Sequence, residues 1–237
     1  MIISVVLPAY QEADNLRKIL PAISSVLHSI GKESEILVVD TIEPMDETKE
    51  VCEENNAMYI NRQGGNLYGD AIRTGLQAAK GKYIVVMDAD GSHNPADIER
   101  FYQEMQKADY DVVIGSRYCK GGYTDNNFVL RAMSLLLNVT YRILFGLKIK
   151  DVSDSFRMYL ADKIKALEFE CNNFDIVEEI LIKLDVKYDS LAVKEVPISF
   201  NKREYGESKR DLIKFIKSYI KTIAHLLKIR RQAIKGK

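Results

Sequence analysis

The sequence predicts an α/β protein: a mostly parallel sheet with helices on both faces, followed by a C-terminal amphipathic helix. Two observations carry this. Short apolar runs rich in Val and Ile alternate with longer stretches whose apolar residues recur at helical spacing, the pattern of successive βαβ units. Each run also delivers polar residues at its carboxyl end, the edge where open α/β sheets bind ligands.

Residues 2–7 form the first strand, stopped by Pro8 and followed by Ala9, Tyr10, Gln11 and Glu12. Over 14–30, Leu16, Ile19, Leu20, Ile23, Val26, Leu27 and Ile30 mark one helical face. A second strand, 35–39, ends on Asp40, and a short helix follows over 46–55. A third strand, 57–61, leads through Arg62-Gln63-Gly64-Gly65-Asn66 into a helix over 68–80, which Gly81 is expected to close in a left-handed turn. The strand over 83–87 runs into Asp88-Ala89-Asp90, then Gly91 for a turn, with Asn94-Pro95 as cap and first residue of a helix reaching 107. A fifth strand, 111–115, ends on Ser116 and Arg117. Over 128–147 the chain is more apolar than an ordinary surface helix, its apolar residues interrupted by Arg131 and Arg142. It reads either as a helix lying on a membrane and guiding a lipid chain or as a helix packed on the sheet. The last helix, 211–231, places Leu212, Phe215, Ile216, Tyr219, Ile220, Ile223, Leu226 and Leu227 on one side and lysines on the other.

Basic and acidic residues balance at 34 each, which points to no nucleic acid partner. The distribution is uneven: from Lys209 onward ten basic residues face one acid, Asp211, a tail suited to an anionic membrane surface. The three cysteines are widely spaced without a CxxC, which fits a reducing compartment and no zinc site. Residues 1–8 read as a first strand and not a signal peptide. No run of about 18 uninterrupted apolar residues occurs, so no span is expected.

The strand over 83–87 carries the chemistry. Asp88 and Asp90 lie one residue apart on extended chain and so are able to face one way. Two hard carboxylates that leave coordination positions open suit Mg²⁺ or Mn²⁺ shared with a substrate's phosphates, while a helix-capping, solvated Asp-x-Asp is the bland alternative. No GxGxxG follows the first strand and no GxxxxGK[ST] occurs, so a nucleotide here is held by side chains and a metal.

Taken together, Pro8-Ala9-Tyr10-Gln11-Glu12, Val38-Val39-Asp40, Asp88-Ala89-Asp90 and Gly115-Ser116-Arg117-Tyr118 resemble the inverting glycosyltransferases of family 2, with a Rossmann-like GT-A fold. Asp151-Val152-Ser153-Asp154-Ser155-Phe156-Arg157-Met158-Tyr159, Glu195 to Phe200, and Arg203 with Gly206 to Lys209 extend the resemblance to the polyprenol-phosphate mannose synthases, over about residues 2–209. The resemblance implies a domain over 1–207 and a basic amphipathic helix and tail over 208–237. It implies metal-dependent transfer of a hexose, mannose first, from GDP-mannose or a UDP-hexose to a polyprenyl phosphate. It also implies a cytoplasmic enzyme peripheral to a membrane, with a membrane-protein partner as one means of attachment.

By the same resemblance Pro8, Tyr10, Glu12, Asp40, Asp88, Asp90, Arg203 and Lys209 meet the donor, and Asp88 and Asp90 hold the metal. Arg117, Arg131 and Ser155 meet the acceptor, and Asp90, Arg117 and Arg131 are the catalytic set. A lipid phosphate oxygen is already anionic and needs no strong base. A neutral hydroxyl acceptor would need one, with Asp151, Asp154, Asp175 and Glu178 as candidates. Three departures stand out: Asp40-Thr41 in place of two adjacent acids, Ser92 in place of a glutamine, and Asp154 where the family has a small uncharged residue. A carboxylate at 154 is expected to repel an acceptor phosphate, which favours the alternative of a saccharide hydroxyl acceptor in surface-polysaccharide assembly. A non-catalytic nucleotide-sugar-binding subunit is the alternative outside enzymes. His93, beside the carboxylate pair, reads as a loop histidine.

Overall fold

The computed structural model describes residues 1–189, 191–202 and 212–235. In chain order the elements are β1 (Ile3–Pro8), α1 (Ala13–Ile30), β2 (Ser34–Asp40), α2 (Thr48–Glu54), β3 (Met58–Asn61), α3 (Tyr68–Ala78), β4 (Tyr83–Val86), α4 (Asp97–Met105), β5 (Val112–Ser116), β6 (Tyr123–Thr124), α5 (Phe128–Phe145), β7 (Arg157–Leu160), α6 (Ala161–Lys165), α7 (Ile176–Tyr188), β8 (Val193–Pro197), β9 (Ser199–Phe200) and α8 (Leu212–Lys235).

Strand residues alternate between two cores because successive side chains leave a strand on opposite faces. Val6, Leu37, Val39, Ile84, Val86, Val112 and Ile114 point to one face, where α3, α5, α7 and α8 add Ile72, Tyr141, Ile180 and Leu226. Val5, Leu7, Ile36, Val38, Val85 and Val113 point to the other, under Leu16 and Ile23 of α1, Val51 of α2 and Phe101 of α4. Each fully buried aliphatic side chain stabilises the fold by roughly 1.5–3 kcal/mol. Helices on both faces, as the alternation predicts, follow from strands that are apolar on both sides.

The sheet order is β3-β2-β1-β4-β7-β5-β8. Strand β1 pairs in parallel with β2 and β4, so chain direction along the sheet reverses there and a crevice opens beyond their carboxyl ends. Residues 157–160, read from the sequence only as part of a motif, are a central strand. β7 lies antiparallel between β4 and β5, with Arg157 opposite Val86 and Ile114.

Three local expectations are corrected. Gly81 is not a left-handed cap, since α3 ends at Ala79 in extended backbone. A Cβ at Gly81 would sit 2.6 Å from the Ser4 nitrogen, so the glycine is there for close approach to β1. Asn94 and Pro95 precede α4 rather than open it: Asn94 Oδ1 accepts from the Ala96 N–H at 3.1 Å in a turn leading into the helix. In α8, Tyr219 and Leu226 are buried, but Ile220, expected on the same side, is exposed.

Helix α5 departs most from an ordinary surface helix. Among its residues only Asn138, Tyr141 and Phe145 are buried. Phe128, Leu135, Leu136, Val139 and Ile143 lie exposed, within one stripe at 100° per residue. Phe128 and Ile143 are 84% and 76% exposed. Although no uninterrupted apolar run exists, the 18-residue helix has a mean hydropathy of 1.4 and is long and apolar enough to cross a membrane. Its contact with the core through Tyr141 and Phe145 instead lays it along the domain with the apolar stripe facing outward.

Candidate active site

A cleft of about 370 Å³ opens at the carboxyl ends of β1 and β4. β1 contributes Pro8, Ala9, Tyr10 and Glu12, and β4 contributes Asp88, Ala89 and Asp90. The start of α3 brings Leu67 and Tyr68, and the loop before α7 brings Asn173 and Phe174. The Met87 N–H donates to the Val6 carbonyl at 3.1 Å, which keeps the chain extended just past β4 and carries Asp88 to the rim. Gly91 then turns with φ +80°, and the Ser92 N–H donates to Asp90 Oδ1 at 3.0 Å.

Asp88 is held from two sides. The Tyr68 hydroxyl donates to its Oδ1 at 3.2 Å, and its own N–H donates to His93 Nδ1 at 3.3 Å. Tyr68 stacks on Phe174 with ring centroids 4.3 Å apart, making an aromatic wall beside the carboxylates. That wall depends on Gly69, whose N–H donates to the Asn172 carbonyl at 2.8 Å. A Cβ there would lie 2.3 Å from the Cys171 carbonyl oxygen. Arg73 adds bonds to the Cys171 carbonyl at 2.6 Å and to Asn172 Oδ1 at 2.8 Å.

Buried Arg62 fixes the other wall. Its Nε donates to the Asp40 carbonyl at 3.0 Å, Nη1 to the Asn66 and Leu67 carbonyls at 3.0 and 3.2 Å, and Nη2 to the Ala9 carbonyl. One guanidinium thus ties the ends of β1 and β2 to the loop that opens α3. Asp40 lies beneath this staple and not on the cleft wall. It is fully buried, accepts the Tyr59 hydroxyl at 3.1 Å, and its pKa is raised by burial above all. Glu12 accepts from Asn15 Nδ2 at 2.6 Å.

Behind the carboxylate pair runs a second polar cluster. Arg117 grips Asp151 in a bidentate pair, Nε to Oδ2 and Nη2 to Oδ1 both at 2.8 Å, and its N–H also donates to Oδ2 at 3.0 Å. Its Nη2 reaches Ser153 at 2.8 Å and Ser134 of α5 at 3.2 Å. Asp154 Oδ2 lies 3.1 Å from Arg117 Nε, and Asp154 Oδ1 lies 3.3 Å from His93 Nε2. Neither contact meets hydrogen-bond geometry; between Arg117 and Asp154 charge acts without alignment. Burial opposes charge on Arg117, but Asp151 and Asp154 outweigh it and push its pKa up. Burial likewise opposes the Asp154 carboxylate, and Arg117 and His93 outweigh it, drawing its pKa down.

For His93, burial lowers the pKa while Asp154, Asp88 and Asp90 raise it to a net increase. The Asp88 N–H nevertheless requires a lone pair on Nδ1, so the geometry favours the tautomer with its proton on Nε2, toward Asp154.

These contacts correct three sequence readings. Arg117 does not present an open fork to a phosphate, because its fork is occupied by Asp151. Asp154 does not face an incoming acceptor; its charge is compensated by Arg117, with His93 Nε2 beside its other oxygen, and the repulsion argument for a saccharide acceptor falls. His93 does lie on the loop between β4 and α4, but as a buried link and not a solvated side chain, stacked on Phe156 at 4.8 Å. The four carboxylates considered as bases lie off the cleft wall. Asp175 accepts from Ser218 at 2.7 Å and from Thr222, and Glu178 is fully buried beneath Tyr219, its carboxyl pushed up to about 8 by burial above all. Arg131 is exposed in the first turns of α5, one helical turn from Ser134 and hence beside the Arg117 cluster. Ser155 is buried on the loop between Asp154 and Phe156. Arg203 and Lys209 lie outside the described residues.

Residues 4–167 match the family model of "Glycosyl transferase family 2". The chain belongs to glycosyl transferase family 2. Among curated proteins, this family 2 chain is 35% identical over 236 residues to a dolichol-phosphate mannosyltransferase of Pyrococcus furiosus. That match covers 96% of the chain and 64% of the relative, so the chain spans less than two thirds of that protein's length. It is 31% identical over 220 residues to an undecaprenyl-phosphate mannosyltransferase of Micrococcus luteus, covering 86% of the chain and 85% of the relative. Among solved structures, it superposes on glucosyl-3-phosphoglycerate synthase from Mycobacterium tuberculosis in complex with Mn²⁺, UDP and glucosyl-3-phosphoglycerate. The TM-score is 0.73 at 18% identity, over 96% of this chain and 79% of that one. The same enzyme with Mn²⁺ and UDP-glucose gives 0.74 at 18% identity, over 96% and 78%. The likeness fixes the fold as GT-A.

The donor set at Asp88 and Asp90 fits a divalent cation of the Mg²⁺ or Mn²⁺ kind. Both carboxylates line one cleft. Among the described residues no third His, Cys, Asp or Glu completes a protein cage, which leaves positions for phosphate and water, as these ions prefer.

Proposed function

We propose that this family 2 glycosyltransferase transfers a hexose, mannose first, with inversion from a nucleoside-diphosphate sugar to a polyprenyl phosphate at a membrane surface. The observation that carries it is the position of the carboxylate cleft: it adjoins, through Arg117 and Ser134, the start of a helix whose apolar stripe is exposed. Two mannosyltransferase relatives of polyprenyl phosphates support the reading.

Pro8, Tyr10 and Glu12 at the β1 end and the Tyr68–Phe174 wall would enclose the nucleotide, with Asp40 and Arg62 holding that edge of the sheet from beneath. Asp88 and Asp90 would hold Mg²⁺ or Mn²⁺, which as a Lewis acid stabilises charge growing on the departing nucleoside diphosphate. Arg203 and Lys209 would add positive charge to the phosphates. The acceptor phosphate oxygen, already anionic, attacks the sugar C1 opposite the leaving group. The C1–O bond breaks with its electron pair on the nucleoside diphosphate, and no protein base is needed. Arg131, on the exposed side of α5, would meet the acceptor phosphate beside Ser155, while Arg117 would orient that end of α5 through Ser134. The apolar stripe would rest in the membrane boundary, where amphipathic faces bury about 5–10 Å deep, and the lipid chain would leave along it.

Transfer of radiolabelled sugar into organic-extractable lipid tests this, with polyprenyl phosphate, Mg²⁺ or Mn²⁺, and GDP-mannose and UDP-glucose in separate reactions. Metal-dependent labelling from GDP-mannose is expected. Asp90→Ala should lose about a thousandfold in turnover, several kcal/mol of charge stabilisation, with an unchanged unfolding curve. Labelling from neither donor, with nucleotide-sugar binding intact, overturns the acceptor assignment; full activity of Asp90→Ala overturns the metal role.

A further inference from the structure

Away from the cleft, at the other end of α5, lies a second depression of about 430 Å³ lined by Val139, Arg142, Ile143, Leu147, Lys148 and Lys150. Arg142 is eleven residues beyond Arg131, about 16 Å along the helix, so this groove is distinct from the acceptor end. Val139 and Ile143 belong to the exposed apolar stripe, which therefore runs directly into the groove. Arg142, Lys148 and Lys150 are exposed around it, and none has an ion pair among the described residues. Of the acids close by, Glu195 is engaged by the backbone N–H groups of Lys150 and Asp151, both at 3.1 Å, and Asp151 by Arg117.

We propose that this groove seats the headgroup of an anionic phospholipid, anchoring the far end of α5 on the bilayer. The argument is charge complementarity beside apolar surface: three cations ring a depression whose apolar lining continues into a face suited to acyl chains. The carboxyl end of a helix opposes an anion, but only with about half a charge, against three full charges here. The groove is bounded by residues 147–150, which lead directly into Asp151, the partner of Arg117, so a lipid seated there fixes the helix at both ends relative to the cleft. The inference deepens the membrane placement proposed above and does not depend on which sugar or acceptor is used.

The test is co-sedimentation of the full chain with vesicles of phosphatidylcholine alone and of phosphatidylcholine mixed with phosphatidylglycerol. Comparison is made with R142Q/K148Q/K150Q, and with K228Q/R231Q on α8. The parent chain should prefer the mixed vesicles. The groove variant should lose about fivefold in affinity per residue, on the order of a hundredfold in all, while keeping its residual binding to neutral vesicles, its circular dichroism melt and its nucleotide-sugar affinity. Inorganic phosphate at millimolar concentration should not displace the chain. Retained anionic preference in the groove variant, its loss only in the α8 variant, equal binding to both vesicles, or displacement by phosphate would each overturn the proposal. A failure of sugar transfer to polyprenyl phosphate leaves this binding result standing, so the two readings fail separately.

Discussion

Replacing Asp151 with alanine removes the partner that occupies the Arg117 fork. The side chains of Arg117 and Asp151 are 7% and 0% exposed, so water cannot take the lost place. Breaking a buried ion pair by removing one member costs roughly 3–5 kcal/mol, because the other charge is left uncompensated. Here Asp154 remains 3.1 Å from Arg117 Nε and the Ser153 and Ser134 hydroxyls still face Nη2, which places the cost at the lower end, about 3 kcal/mol. Equilibrium urea unfolding of parent and Asp151→Ala measures it, with Ser153→Ala, which loses a hydroxyl bonded to the guanidinium, as a reference expected at about 1.5 kcal/mol. Because the pair also anchors α5 beside the cleft, the destabilised variant should lose transfer to a polyprenyl phosphate more than affinity for the nucleotide sugar. A loss under 1 kcal/mol, the size of a solvent-exposed pair, would refute the description of Arg117 as a buried, positioning cation and return it to the list of open phosphate ligands.

Other outcomes follow from the same contacts. Glu178 is ordinarily a carboxyl of pKa 4.5 and is pushed up to about 8 in the fold; it is protonated when folded and ionised when unfolded between those values, so stability falls as pH rises through that window. Glu178→Gln should flatten this fall, by at most about 5 kcal/mol, and unfolding curves of the two proteins that run parallel from pH 5 to 8 would rule it out. Gly69→Ala forces a methyl into the Cys171 carbonyl; a loss of about 1–3 kcal/mol and weaker nucleotide-sugar binding are expected by calorimetry, and an unperturbed variant would mean that the 171–174 loop shifts without consequence. Cys52 is buried, with its thiol pushed up to about 12 by burial first and by Asp40 next, so native-state alkylation should spare it and reach the half-buried Cys119 first; peptide mapping showing Cys52 modified before Cys119 contradicts that packing.

Much of the fold was legible because its signals are local. The apolar run over 83–87 and the Asp-x-Asp after it are read from adjacent residues, and β4 with its two carboxylates in the cleft stands where that reading placed it. The alternation of strand and helix likewise shows in the spacing of Leu16, Ile19, Leu20 and Ile23. Arg62 was visible as a polar residue at a strand end, but its four carbonyl partners come from three separate segments. Tyr68 carried only the signal of opening a helix after two glycines, and Phe174 carried none, since a stack between residues so far apart leaves no local pattern. The sequence also over-read Asp154: a carboxylate near an acceptor phosphate repels it only if no cation is closer, and Arg117 is closer.

By itself, the sequence determined the class of fold, the order of its elements up to β5, the carboxylate pair and the family to which the chain belongs, since periodicity, turn residues and ordered motifs are properties of neighbours along the chain. Only the tertiary structure decided that β7 runs antiparallel between β4 and β5, that Arg117 is taken by Asp151, and that α5 turns its apolar stripe outward. Each of these depends on which distant segments meet. A charge acquires its role from the groups that desolvate and compensate it, and an apolar helix face becomes core or docking surface according to whether another layer of the protein covers it.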